Sequence, residues 1–97
     1  MSDTLIKHIE TGIKEVLARN KALRGGLFGS VLTEKFSEKS DVDVLVELAE
    51  GSGLLEFIKI KQELEELLQR QVDLVEYSSI KPFLKDIILK QEKRIYG

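Results

Sequence analysis

The sequence predicts an α/β domain, in the α+β sense, in which a small mixed β-sheet carries helices packed mainly on one face. Two long segments repeat apolar residues at helical spacing, and a third such segment lies near the end of the chain. Three short apolar runs lie between these segments, and the one from Val42 to Val46 is rich in β-branched residues. Gly51, Ser52 and Gly53 separate one such run from a helical segment as a turn would.

The first element is an amphipathic helix at residues 4–19. Its apolar side chains recur at helical spacing and are Leu5, Ile6, Ile9, Ile13, Val16 and Leu17. Ser2 or Asp3 is the expected N-cap, and Asn20 with Lys21 ends the helix.

Three apolar runs predict strands at residues 22–28, 42–48 and 72–77. Gly25-Gly26 weakens the first strand and indicates a bulge or a close backbone approach. A short helix is expected at residues 31–36, between the first two strands.

Two further helices complete the prediction. The apolar side chains of the second are Leu54, Phe57, Ile60, Leu64, Leu67 and Leu68. A third begins around Ser79 and Pro82, which supply a cap and a proline at its first turn. Lys90 to Arg94 is expected to form a charged tail, and Tyr77 is expected to be a packing residue with a polar tip.

Composition favours one globular domain spanning residues 1–97. With 42% hydrophobic and 33% charged residues the chain is neither disordered nor membrane-spanning, and the absence of cysteine excludes disulfides and thiolate metal sites. The formal charge of -2 disfavours a dedicated nucleic-acid binder, which usually carries a basic patch. Met1 to Thr4 shows no basic signal segment, so a cytoplasmic protein is expected.

Gly29 and Ser30 form a candidate phosphate-binding turn. Glycine lets the backbone adopt conformations forbidden to other residues and approach a ligand closely. Ser30 stands at the start of the expected short helix, where free N–H groups suit a phosphate.

Three aspartates form a candidate metal site. Asp41 and Asp43 lie two apart on a strand, so their side chains share a face, and Asp73 lies near the start of another strand that could lie beside the first. Magnesium takes oxygen ligands from one or two carboxylates together with substrate phosphates. Three carboxylates around two metal ions can clamp both oxygens of an in-line displacement, with Asp73 as candidate base and ligand of the second metal.

These residues resemble the signature of the DNA-polymerase-β-type nucleotidyltransferases. The shared features are Phe28-Gly29-Ser30, a ten-residue gap, Asp41-x-Asp43 and the downstream Val72-Asp73-Leu74-Val75. The chain is similar in length to the smallest branch, the minimal nucleotidyltransferases (MNT, the MntA-like antitoxins). The resemblance therefore implies a nucleotidyltransferase fold.

The resemblance also implies an activity and a partner. It implies transfer of AMP from ATP, with two Mg²⁺ ions, to a hydroxyl, usually a tyrosine of a partner HEPN toxin. Asp41, Asp43 and Asp73 would be the catalytic and metal-binding residues. Gly29, Ser30 and Ser40 would bind the nucleotide.

One departure from the family pattern keeps an alternative open. Family members typically carry Arg-Gly where this chain has Thr33-Glu34. Losing that cation should weaken triphosphate binding, because a charge-assisted contact contributes about 1.5–3 kcal/mol. The alternative is a catalytically weak or inactive antitoxin subunit that binds and masks its toxin. The acceptor, the base preference and the choice between homo- and hetero-oligomer stay open.

Overall fold

The computed structural model describes residues 3–37 and 39–97. In this part of the chain the elements are α1 (Asp3–Arg19), β1 (Arg24–Phe28), β2 (Val42–Glu47), α2 (Leu54–Leu68), β3 (Val72–Glu76), α3 (Pro82–Gln91) and β4 (Lys93–Tyr96). Short 3₁₀ turns follow β1 at Gly29–Leu32 and β3 at Tyr77–Ser79. None of the described helices has the length and apolar character needed to cross a membrane. Ser2, one of the two candidate caps, lies outside the described residues.

The four strands form one mixed sheet in the order β3-β2-β1-β4. β1 is antiparallel to β2 and to β4, whereas β2 and β3 are parallel. A parallel pair needs a crossover connection, and α2 provides it between β2 and β3. The predicted mixed sheet is therefore confirmed.

The last strand is missing from the sequence prediction. Lys90 to Arg94 was expected to be a charged tail, but α3 ends at Gln91 and β4 pairs with β1. Ile95 is buried in the core, and Lys93 forms an ion pair with Glu10 of α1 at 2.6 Å. The lysine and arginine that suggested a solvated tail are instead typical of an edge strand, where charges discourage pairing with other chains.

The short helix expected at residues 31–36 is also wrong. A 3₁₀ turn ends at Leu32, because both the N–H and the hydroxyl of Thr33 donate to the carbonyl of Ser30, each at 2.9 Å. Thr33 is extended, with φ -122° and ψ 167°, so the helix does not propagate. The threonine side chain competes with the helical hydrogen-bond pattern, as this residue type commonly does.

The main core lies between the sheet and the two long helices. α1 and α2 cover one face, so the prediction of helices mainly on one face is confirmed. The buried side chains of this core from the helices are Ile9, Ile13, Val16, Leu17, Ile60, Leu64 and Leu68, and those from the sheet include Leu27, Val42, Val44, Val46 and Ile95. The expected irregularity at Gly25-Gly26 is present as a shift in the register between β1 and β4.

The opposite face of the sheet carries a smaller cluster. Leu45, Tyr77 and Ile80 are buried there, and Ile88 and Leu89 of α3 pack against them. The hydroxyl of Tyr77 donates a hydrogen bond to Glu92, and the Arg24 guanidinium lies 4.1 Å from the centre of its ring. Burial and this bond to a carboxylate raise the pKa of Tyr77, which confirms its role as a packing residue with a polar tip.

Replacing buried Leu64 by alanine should destabilise the fold by about 2–5 kcal/mol, because it removes apolar contacts and leaves a cavity. Leu64 is fully buried whereas Leu55 on the same helix is 79% exposed, so Leu55→Ala should change stability by no more than about 0.5 kcal/mol. Thermal unfolding followed by circular dichroism measures both. Equal losses in the two variants would contradict the packing of α2 described here.

Candidate functional site

The register of the sheet brings the predicted site residues to one end of it. Asp43 of β2 pairs with Phe28 of β1 on one side and with Asp73 of β3 on the other. Gly29 directly follows Phe28, and Asp41 lies one residue before β2. Side chains at paired positions point to the same face of a sheet, so Asp43 and Asp73 share the face opposite the long helices.

Gly29 permits a close approach between the turn and Asp43. Its φ is 75°, in the left-handed region that favours glycine. A Cβ at this position would overlap the Asp43 carboxylate, with the Asp43 Cγ only 3.1 Å away. The Ser30 backbone also makes a hydrogen bond to Asp43. Any other residue at position 29 would force this carboxylate to move.

The electrostatics of the three acids favour a bound cation. Partial burial raises the pKa of Asp43, and the negative charges of Asp73 and Asp41 raise it further, while the hydrogen bond from the Ser30 backbone partly offsets this. A cation among these carboxylates would relieve both the repulsion and the loss of hydration. The arrangement therefore carries electrostatic strain that a metal–triphosphate complex can remove.

The donor set fits a metal that arrives with its substrate. Among the residues that the structure describes, no three His, Cys, Asp or Glu side chains are grouped closely enough to hold an ion by themselves. Asp41 and Asp73 are exposed and line a common cavity of about 280 Å³, which Lys61 and Glu65 also border. Carboxylate oxygens suit Mg²⁺, and substrate phosphates can supply further ligands.

Ser40 lies one residue before Asp41, but its side chain is engaged locally. Its hydroxyl accepts the Ser37 N–H at 3.0 Å and lies 3.2 Å from the Ser37 hydroxyl. The structure thus places Ser40 beside the acids while directing its hydroxyl to its own loop.

Thr33 borders a second cavity, of about 430 Å³, together with Gly29, Leu32 and Gln91. This is the position at which the family pattern has arginine. The Thr33 hydroxyl donates to Ser30 and accepts the N–H of Lys35 at 3.2 Å. The side chain that replaces the expected cation is therefore part of the turn itself.

Several residues around the acids escaped the sequence prediction. Lys61 and Glu65 belong to a helix face that carries no site motif, and Gln91 comes from α3. Arg70 donates to backbone carbonyls of the loop before Asp41. Because Arg70 bonds to backbone carbonyls, no residue pattern in the sequence indicated it.

Comparisons with known proteins identify the family. Residues 11–97 match the family model described as polymerase beta, nucleotidyltransferase. A protein of Methanocaldococcus jannaschii assigned as a protein adenylyltransferase is 42% identical over 86 residues, which are 89% of this chain and 92% of that protein.

Solved structures show the same fold. A structure assigned as a minimal nucleotidyltransferase superposes with a TM-score of 0.82 at 32% identity, covering 96% of this chain and 95% of that one. A complex of a tri-AMPylated HEPN toxin with an MNT antitoxin from Shewanella oneidensis matches with a TM-score of 0.72 at 27% identity, covering 94% of this chain and 71% of that one.

Sequence and fold thus agree, and the chain belongs to the polymerase-β-type nucleotidyltransferase family.

Proposed function

We propose that this chain transfers AMP from Mg²⁺-bound ATP to a tyrosine of a partner HEPN toxin, as the antitoxin of a toxin–antitoxin pair. The observation that carries this proposal is the placement of Asp43 between the Gly29 turn and Asp73. The AMPylated toxin in the Shewanella oneidensis complex supports the choice of acceptor. We place the reaction in the cytoplasm, where ATP is available.

In the proposed reaction the acceptor oxygen attacks the α-phosphorus of ATP. The new O–P bond forms as the bond from the α-phosphorus to the bridging oxygen breaks, and pyrophosphate leaves. Asp73 receives the proton of the acceptor hydroxyl. Gly29 and Ser30 bind the β- and γ-phosphates, and Ser40 closes the loop beside them.

Asp41, Asp43 and Asp73 would hold the two Mg²⁺ ions of this reaction. When bound, the metal stabilises charge that develops on the phosphate oxygens. Asp41 and Asp43 would hold the ion that arrives with the triphosphate, and Asp73 would hold the second ion. The raised pKa of Asp43 is consistent with a carboxylate whose anion a bound cation would stabilise.

Exposed apolar side chains support a protein partner. Leu54 and Leu55 at the start of α2 are 71% and 79% exposed, and Phe83 and Ile87 of α3 are 74% and 55% exposed. Exposed apolar residues of this size commonly mark interaction surfaces. The net charge of -2 makes nucleic acid an unfavourable partner.

The masking subunit is a second candidate, and Thr33 is the observation that favours it. The hydroxyl of Thr33 is occupied within the turn, and Glu34 follows it with a negative charge. Such a turn offers the triphosphate less positive charge than an Arg-Gly pair would. A masking subunit would bind the toxin without needing ATP.

The first test is the metal dependence of ATP binding. We expect binding with Mg²⁺ and a large loss of affinity without it, because the three carboxylates repel the bare triphosphate. Isothermal titration calorimetry with ATP, in Mg²⁺ and in EDTA, measures this. Equal affinity in both buffers, or no binding in either, would refute the nucleotide site.

Asp73→Asn should separate binding from chemistry. Asp73 acts mainly when the acceptor loses its proton, so the variant should bind Mg²⁺-ATP within a few-fold of wild type. It should transfer AMP at least about a hundredfold more slowly, the lower end of a general-base contribution. Asp43→Asn is the matched control and should weaken binding as well.

Mass spectrometry of the co-purified partner after incubation with ATP follows the transfer. Full transfer by Asp73→Asn would remove Asp73 from the catalytic set. If wild type binds its partner but transfers no AMP, the masking subunit is the better description.

Asp43→Asn should raise the melting temperature at pH 7 in the absence of divalent cations. Folding raises the pKa of Asp43, so the ionised carboxylate lowers the free energy of unfolding at pH values above that pKa. This loss of stability disappears as the pH falls to the ordinary aspartate pKa of about 3.9. The gain should therefore shrink as the pH is lowered towards that value. Scanning calorimetry in EDTA measures it.

Asp86→Asn, which neutralises an exposed aspartate of α3, controls for the change in net charge. An Asp43→Asn variant no more stable than this control at pH 7 would contradict the electrostatic strain at Asp43.

A further inference from the structure

The turn between α2 and β3 binds the backbone on both sides of Asp41. On the N-terminal side, Nη1 of Arg70 donates to the carbonyls of Ser37 and Ser40, at 3.1 Å each. On the C-terminal side, the N–H of Val42 donates to the carbonyl of Gln71 at 3.0 Å. Two consecutive residues of this turn thus fix the chain immediately before and after Asp41.

The side chain of Arg70 is itself held in place. Its guanidinium lies 4.9 Å from the centre of the Phe36 ring, and Phe36 is only 4% exposed. A cation over an aromatic face is attracted by the ring, and the planar guanidinium can keep this contact while donating to two carbonyls. The Arg70 contacts therefore connect the loop before Asp41 to the core.

The base of the turn is also fixed. The carboxylate of Glu65 accepts the N–H of Val72 at 3.0 Å, and its backbone carbonyl accepts the N–H of Gln69 at 2.9 Å. Gln69 has φ 54°, which reverses the chain at the end of α2. The strand that starts here carries Asp73 at its second position, so the same turn supports Asp41 and Asp73.

Asp41 needs this support more than Asp43 does. Asp43 is part of a strand paired on both sides, whereas Asp41 is exposed and precedes β2. Without the Arg70 contacts, the loop could change the position of Asp41 while the sheet stayed intact. The bond from Val42 to Gln71 would remain, together with the bonds between Ser37 and Ser40, which lie within the loop itself.

We propose that Arg70 is a positioning residue of the nucleotidyl-transfer site, which fixes the backbone of Asp41 so that its carboxylate can share a cation with Asp43. This inference rests on the proposed function for the cation and its substrate. Arg70 acts through the loop and touches neither the nucleotide nor the acceptor. Residues that orient metal ligands typically change metal affinity by about ten- to a hundredfold when they are mutated.

The test compares Arg70→Met and Arg70→Lys with wild type in two measurements. The first is the Mg²⁺ concentration for half-maximal ATP binding, followed by NMR shifts of the backbone amides. Methionine keeps an apolar stem without donors, so Arg70→Met should raise this concentration about tenfold. Lysine retains a donor, so Arg70→Lys should recover part of the loss.

The second measurement is amide hydrogen exchange in the absence of metal and nucleotide. Arg70→Met should accelerate exchange at Ser40 and Val42 while the amides of β1 remain protected. Arg19→Met is the matched control, because Arg19 is an arginine that also joins two segments, α1 and α2, through a 2.7 Å bond to Glu63. It should leave both the Mg²⁺ requirement and the exchange at Ser40 and Val42 unchanged.

Three outcomes would overturn the inference. One is an unchanged Mg²⁺ requirement in Arg70→Met. Another is exchange that accelerates uniformly through the sheet, which would make Arg70 a general stabilising residue. The third is an equal effect of Arg19→Met. If wild type does not bind Mg²⁺-ATP, the proposed function fails, and the exchange data still decide whether Arg70 holds this loop.

Discussion

The contact between Gly29 and the Asp43 carboxylate is the constraint on which the site depends. The antiparallel pairing of β1 with β2 places the end of one strand against an acid of the other. A side chain at position 29 would collide with that acid, so the approach requires glycine. This close approach leaves the Asp43 carboxylate partly buried and near two other carboxylates. Burial and repulsion raise its pKa and so make it harder to ionise.

One face of the sheet forms the main core, and the other carries the acids and the small apolar cluster. The face covered by α1 and α2 supplies most of the apolar burial, and its valines at Val42, Val44 and Val46 alternate with residues of the other face. On the other face, Asp43 and Leu45 are the next two side chains along β2. This one strand therefore contributes Asp43 to the site and Leu45 to the small apolar cluster around Tyr77. The apolar core on one face stabilises the strands, and these strands hold the acids close together although the acids repel one another.

Much of the fold could be predicted because its elements carry strong local patterns. The helical period of the apolar residues predicted α2 at its observed position, and the short apolar runs predicted β1, β2 and β3 to within two residues at either end. β1 starts later than predicted, because the N–H of Ala22 still bonds to Leu17 at the end of α1. β4 could not be predicted in this way, since its four residues are charged or aromatic except for Ile95, and only pairing with β1 makes them a strand. The spacing of the three aspartates predicted that they lie close together. The Arg70 side chain donates to backbone carbonyls, and no sequence pattern predicts such a contact.

The parallel pairing of β2 with β3 has a consequence for how the protein is made. β1 and β2 are neighbours in sequence and can pair as soon as both have left the ribosome. β3 joins them only after the whole of α2 has been synthesised, because a parallel strand requires that crossover. Asp73 is therefore the last of the three aspartates to reach the sheet, and a nascent chain that has yet to emerge beyond α2 holds an incomplete set of acids.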